Sequence, residues 1–414
     1  MNQIWLLLGL LVLSYMGSIL VGGRAIRGFG LASGAEYLVL GFVLGPQVLS
    51  ALPRSLLDTF EPVLLVGVGW LGLVLGVSYR RVGMRRVPLP HVAVGIMLSA
   101  LVSAAVSAAV LYVASMLLKL SRVDLIALAA TAGLVCSETT RHSVRWVVER
   151  HGAKGKLADF AADVARSSAA FPAIMLAVVC AWLPGAGLVD FSVGGRVAVT
   201  LGLGVLLGLT STLLLGREFR RDESWGLLLG TSLLGTGAAE RLGLSPLSVM
   251  FTMGLTLAVV SRHHLDIKAM VTPTEKPVLL PLILLAGAYV NVKLPSLVLI
   301  VVAAALVAKV LARVGVGLLA SLLGAPAKSA GLELGVSMLS TGALAVATGL
   351  SIALRHPGVV GDALLLLAAL GVLLGEWLGP AALRRALTRV GEITPEAPPS
   401  PESDAGRPSA ESRA

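Results

Sequence analysis

Apolar runs long enough to cross a bilayer recur along almost the whole chain, and no other feature limits its fold as strongly. About 20 apolar residues span the hydrocarbon core, and by that measure roughly thirteen runs follow one another. They lie near 4–22, 33–51, 60–79, 90–118, 123–148, 157–183, 196–216, 224–242, 245–261, 276–292, 295–322, 330–354 and 360–386. The runs are continuous rather than alternating, which argues against a transmembrane β-barrel. The fold class is an all-α polytopic membrane protein. Composition agrees, since only 14% of the 414 residues are charged, against about 25% in soluble domains. The 47 glycines let helix backbones approach closely in lipid.

The net charge of +10 does not indicate a nucleic-acid surface, because the basic residues sit in short loops between spans. They favour odd-numbered loops: Arg24 and Arg27, Arg80, Arg81, Arg85 and Arg86, Arg150, Lys154 and Lys156, Arg217, Arg220 and Arg221, Arg262 and Lys268, then Arg384, Arg385 and Arg389. The positive-inside rule then places the N-terminus outside and the C-terminus in the cytoplasm. The expected location is a bacterial inner (plasma) membrane. Cys136 and Cys180 fall inside apolar runs and read as small buried hydrophobes. The first run lacks a basic n-region and a small-residue cleavage pattern, so it reads as a retained helix. Residues 1–392 form one transmembrane domain. The stretch 393–414, rich in Pro, Ser, Glu and Ala, reads as a disordered cytoplasmic tail.

Thirteen spans divide into six, a linking seventh and six more. Spans five and twelve then hold equivalent places in halves of opposite orientation. Both carry small and polar residues mid-span, Cys136 to Thr140 in one and Ser337-Met338-Leu339-Ser340-Thr341-Gly342 in the other. Such a matched pair points to an inverted-repeat transporter with a site between two discontinuous helices. Charge is concentrated in the same region. Glu138, Asp163 and Arg166 all lie between Leu125 and Val179, and ionisable residues inside spans mark substrate or ion paths.

Several segments together resemble the monovalent cation:proton antiporter superfamily, particularly its Kef-type and Na+/H+ antiporter branch. They are Leu40-Gly41-Phe42-Val43-Leu44-Gly45-Pro46-Gln47-Val48-Leu49, Leu242-Gly243-Leu244-Ser245-Pro246 followed by Gly254-Leu255, Pro281 to Gly287, Lys309, Ser337 to Val346, and Gly375-Glu376-Trp377-Leu378-Gly379-Pro380. The resemblance implies a core part from spans 4–6 and 11–13 that slides, elevator-like, against a dimerisation part from spans 1–3 and 8–10. It also implies a homodimer, crossed broken helices at spans five and twelve, a carboxylate on span six and a partnering Lys309. One departure stands out. Aligning the family's Q-D-I-A-A-I-P on Arg166 to Pro172 puts Arg166 at the glutamine and Ser167 at the essential aspartate, so the usual helix-six carboxylate is absent.

An exchange site needs a group for which proton and cation compete, and a carboxylate can serve. Asp163 lies one helical turn from Ser167 on the same face; the alternative is that it pairs with Arg166 or sits near the cytoplasmic helix end. Glu138 lies in the break of span five, where Thr139 and Thr140 can complete an oxygen shell; the alternative is an ion pair with Arg166 or Arg141. Arg166 stays charged at any accessible pH and reads as a fixed internal cation or as an anion-binding group. Ser337, Ser340, Thr341 and Glu333 are secondary candidates. His91, His142, His263 and His264 read as surface residues, and no resident metal or cofactor is expected. No Walker-type phosphate loop, H-E-x-x-H or G-x-S-x-G pattern occurs, so an enzyme is not expected. The expected function is exchange of Na+ or K+ for protons, with the bilayer, protons and monovalent cations as partners. The alternatives are a transport-incompetent relative with a sensing or structural role, and an anion carrier using Arg166.

Overall fold

The computed structural model describes residues 34–79, 89–183, 191–215, 221–322 and 332–393. The expected first span at 4–22, the tail from residue 394, and the basic residues Arg24, Arg27, Arg80, Arg81, Arg85, Arg86, Arg217 and Arg220 lie outside the described residues. Among the described residues there is no strand. The first helices are α1 (Ala35–Leu44), α2 (Arg54–Thr59), α3 (Glu61–Val77) and α4 (Leu89–Leu117), followed by α5 (Arg122–Ser137), α6 (Arg141–Arg150), α7 (Lys156–Ser168), α8 (Ala170–Trp182) and α9 (Val193–Leu214). The second half comprises α10 (Arg221–Arg241), α11 (Pro246–Val260), α12 (His264–Val271), α13 (Glu275–Tyr289), α14 (Ser296–Leu322), α15 (Leu332–Ser337), α16 (Ala343–Arg355) and α17 (Val359–Arg389).

Seven helical stretches among the described residues are long and apolar enough to cross a membrane, and α1, α3, α11 and α16 are shorter apolar helices. The expected eighth span, α10, is not among either group; it begins and ends on arginine and carries Asp222, Glu223 and Glu240. The expected second span is helical only to Leu44, because Pro46 lacks the amide that would extend it. Spans five and twelve are each broken mid-way, between α5 and α6 and between α15 and α16. Span six is jointed at Ala169 between α7 and α8, where Pro172 has no N–H to return to the Ser168 carbonyl.

The Leu242 to Pro246 motif makes a tight corner for stated reasons. Gly243 takes φ 67° to end α10, Ser245 accepts from the Ser248 amide at 3.2 Å to cap α11, and Pro246 fills the first helical position, where no N–H is needed.

Two sets of helices pack mainly among themselves. In one, α3 lies on α11, α11 on α9, and α1 on α13; in the other, α4 lies on α5, α7 and α14, while α15 and α16 each pack on α17, and α16 and α17 reach α5. Within each set main chains meet at glycines. Gly72 and Gly76 of α3 lie against the Leu247 and Phe251 carbonyls of α11, Gly41 of α1 against the Leu284 carbonyl of α13, and Gly133 of α5 against the Ser103 carbonyl of α4, where no Cβ fits. Such contact gains dispersion energy that a layer of side chains does not supply in lipid.

Candidate functional site

The two breaks cross. The stretch Glu138-Thr139-Thr140 is extended, with φ −67° and ψ 145° at Glu138, and Thr140 then begins α6 by accepting from the His142 amide. Against it lies Met338 to Gly342. The Thr140 amide donates to the Ser340 carbonyl at 2.8 Å, and Thr139 Oγ1 donates to the Met338 carbonyl at 3.2 Å. A Cβ at Gly342 would lie 2.6 Å from Thr140 Oγ1, so only glycine fits the point of closest approach.

Half-helices ending inside a protein leave carbonyls at one end and amides at the other without partners, and here charged side chains meet both. Arg313 of α14, 1% exposed, donates to the carbonyls of Cys136, Ser137 and Glu138 at 3.2, 2.6 and 2.6 Å, and to Thr139 Oγ1 at 2.7 Å. Its charge thereby faces the negative end of α5. The Glu138 carboxylate accepts from the amides of Gly342 and Ala345 at 3.3 and 2.9 Å, both through Oε2, at the positive end of α16. The expected alternative partners of Glu138, Arg141 and Arg166, do not bond to it. Lys309, fully buried one turn from Arg313, donates to Thr341 Oγ1 at 3.1 Å and to the Gly371 carbonyl at 2.9 Å.

The helix-six residues divide between two sides. Ser168 Oγ receives the Thr139 amide at 3.1 Å and so ties α7 to the break. Ser167 is turned the other way, against Gly95 of α4, and its hydroxyl returns to the Asp163 carbonyl at 2.9 Å. Asp163 Oδ2 lies 3.1 Å from His91 Nδ1. Tyr79, just past α3, donates to the carbonyls of Arg166 and Ser167. Of the secondary candidates, Ser340 donates to the Gly375 carbonyl at 3.0 Å and Ser337 to the Leu334 carbonyl, whereas Glu333 pairs with Arg389 at 3.1 Å, apart from the crossing.

A narrow cleft opens beside the crossing, lined by Ser78, Tyr79, Glu138, Thr139, Thr140, Arg141, His142, Arg166 and Glu275 together with apolar residues of α3, α7, α13 and α16. Glu138 and Glu275 are its carboxylates; Asp163 and Ser167 do not line it. Glu275 is occupied by Arg141, whose Nη2 donates to Oε1 at 2.6 Å, and by His142 Nε2 at 3.0 Å from the same oxygen. His91 and His142, expected at the surface, are therefore part-buried members of acid pairs. Sequence reasoning missed Arg313 and Glu275. The signal for Arg313 was its spacing of four from Lys309, which puts both on one face of α14; Glu275 lay too near a span end to carry one. Among the described residues no cluster of His, Cys, Asp and Glu has the makings of a metal site.

These features define an integral membrane protein built around two crossed, interrupted helices. The fold is that of a solved sodium proton antiporter, MjNhaP1 from Methanocaldococcus jannaschii. Its structure at pH 8 matches with a TM-score of 0.68 and 16% identity, over 94% of this chain and 99% of that one. A second structure of MjNhaP1, from electron microscopy, matches with a TM-score of 0.64 and 18% identity over 95% and 98% of the two chains. No protein-family model matches the sequence, and no curated protein matches it.

Proposed function

We propose that the protein is a secondary-active transporter that exchanges a monovalent cation for protons, with Glu138 as the group for which the two compete. One observation carries this reading. Of the two carboxylates lining the cleft, Glu275 is held by an arginine and a histidine, while Glu138 sits at the crossing on two backbone amides that both use Oε2. Oε1 stands outside that pair of bonds, on a residue that lines the cleft together with Thr139 and Thr140. Oxygen groups at interrupted helices are the usual means of holding a small cation at mid-membrane. The shared fold with a sodium proton antiporter supports the same class of activity.

The transport movement is elevator-like, with α4–α8 and α14–α17 moving as a body past α1, α3 and α9–α13. The packing of each set on itself favours such a division. The active form is a homodimer joined through the set that contains α1, α3 and α10–α13, with the N-terminus outside and the C-terminus in the cytoplasm. A second reading, an anion carrier, is favoured by the presence of Arg141 and Arg166 in the cleft wall.

Cation-driven proton movement in proteoliposomes tests both. Wild type is expected to respond to Na+ or K+, Glu138→Gln to be silent, and Asp163→Asn to retain exchange. Full exchange by Glu138→Gln would remove the assignment. Flux that follows the anion supplied, with no response to cations, would replace it by the second reading.

A further inference from the structure

A second cavity lies apart from the cleft, in the fork between α5 and α8. Val123, Ile126, Ala127 and Ala130 of α5 and the end of α8 around Trp182 enclose about 200 Å³. The spacing of the four α5 residues puts them on one stripe of the helix, and the two alanines hollow that stripe where larger side chains would meet α8. Every wall residue is apolar apart from the indole N–H of Trp182. An apolar cavity of about 150 Å³ stays dry and takes up a benzene ring, so a hollow of this size and lining suits hydrocarbon rather than water or an ion. Its floor is buried, with Ala127 and Leu183 each 5% exposed, while Ile126 and Trp182 at the rim are 39% and 50% exposed. The hollow therefore opens on the surface of the helix bundle.

The rim distinguishes this hollow from the rest of the lipid-facing surface. Arg196 of α9 donates through Nη1 to the Leu183 carbonyl at 3.0 Å, which fastens a guanidinium to the wall itself. Arg122 is exposed and immediately precedes Val123 of the wall. The acid of the same turn, Asp124, is engaged by Ser121 Oγ and by His356 Nε2, each at 2.8 Å. Tryptophan settles at the headgroup level of a bilayer, so Trp182 sets the rim at the height of the lipid phosphates. Guanidinium groups there meet phosphate with paired N–H donors.

We propose that the hollow binds an anionic phospholipid of the surrounding bilayer, with one acyl chain between α5 and α8 and the phosphate at Arg122 and Arg196. A zwitterionic lipid offers the same chain but no net charge to the two arginines, so the headgroup sets the preference. The site is independent of the ion-exchange reading and stands or falls without it.

Native mass spectrometry of the detergent-purified full chain, supplied with equal amounts of phosphatidylglycerol and phosphatidylcholine of matched acyl chains, reads the lipid retained. Wild type should keep phosphatidylglycerol in preference. Arg122→Gln and Arg196→Gln should each lower that preference about fivefold, the worth of one basic residue at an anionic lipid surface. Arg241→Gln, which removes an exposed cation at the end of α10, should leave it unchanged. Ala130→Phe fills the hollow and should lose the retained lipid with an unchanged melting temperature. Equal retention of the two lipids by wild type, or an unchanged preference in both Arg122→Gln and Arg196→Gln, overturns the site. Phosphatidylglycerol held by Ala130→Phe as tightly as by wild type overturns the hollow as its seat. A dimer that forms without retained lipid and is lost in Ala130→Phe assigns the hollow to a second copy of the chain and overturns the lipid.

Discussion

Arg313 donates to the backbone carbonyl of Glu138 at 2.6 Å, and the side chain of the same Glu138 accepts from the Ala345 amide at 2.9 Å. One residue thus ends one half-helix with its main chain and begins the other with its carboxylate. Carbonyls at the end of α5 and amides at the start of α16 are thereby met through residue 138, from α14 on one side and by its own carboxylate on the other.

Arg313→Ala should loosen that point. It removes four donated hydrogen bonds, several from a charged donor to otherwise unmet carbonyls, and the expected loss is about 3 kcal/mol or more. Cys136 and Cys180 are buried, so a thiol-reactive dye reads thermal unfolding directly. A variant that melts with wild type would show that the crossing is held elsewhere.

Gly342→Ala should fail where Gly237→Ala does not. A methyl at 342 meets Thr140 Oγ1 at 2.6 Å, while one at 237 has nothing within 4 Å and gains up to about 1 kcal/mol of helix propensity. Yield of monodisperse protein after extraction, together with melting temperature, compares the two. Equal behaviour would mean that the breaks part easily.

Glu275→Gln tests the tie between the two helix sets, because Arg141 and His142 belong to α6 and Glu275 to α13. Hydrogen exchange at 141–150 should speed up several-fold, with 359–375 unaffected. No change at α6 would indicate that other contacts across the seam hold it.

Glu392→Ala should fray the start of α7. Both carboxylate oxygens accept there, from the Leu157 and Ala158 amides at 2.8 Å each, and losing such a cap costs about 1 kcal/mol. Faster hydrogen exchange confined to 156–160 is the expected outcome. Gly155→Ala should act in the same direction, since a Cβ there would collide with the Glu392 side chain.

The span pattern was legible because each apolar run carries its own signal, and the breaks were legible because Cys136 to Thr140 and Ser337 to Gly342 interrupt two runs at matching places. What meets across the crossing was not. Arg313 and Glu138 are 175 residues apart, and nothing local in either segment announces the other. The limit shows most clearly at helix six. The sequence presents Asp163, Arg166 and Ser167 as neighbours, but the fold sends Ser167 to Gly95 and Asp163 to His91, leaving only Arg166 on the cleft. Periodicity says which residues share a helix face; it does not say which neighbour that face will touch.

The glycine contacts within each helix set bear on mechanics. Helices in main-chain contact have no intervening side chains that can change rotamer, so displacing one relative to the other separates backbones outright. Bonds between the sets are of another kind: Ser248 Oγ to the Ala173 carbonyl, Asn291 to Asp362, Arg355 to the Gly243 carbonyl, and the Glu275 pairs. Each is a polar contact through a side chain. Where the glycines are, helices are held main chain to main chain; across the seam between the sets, these bonds are carried by side chains that can let go one at a time.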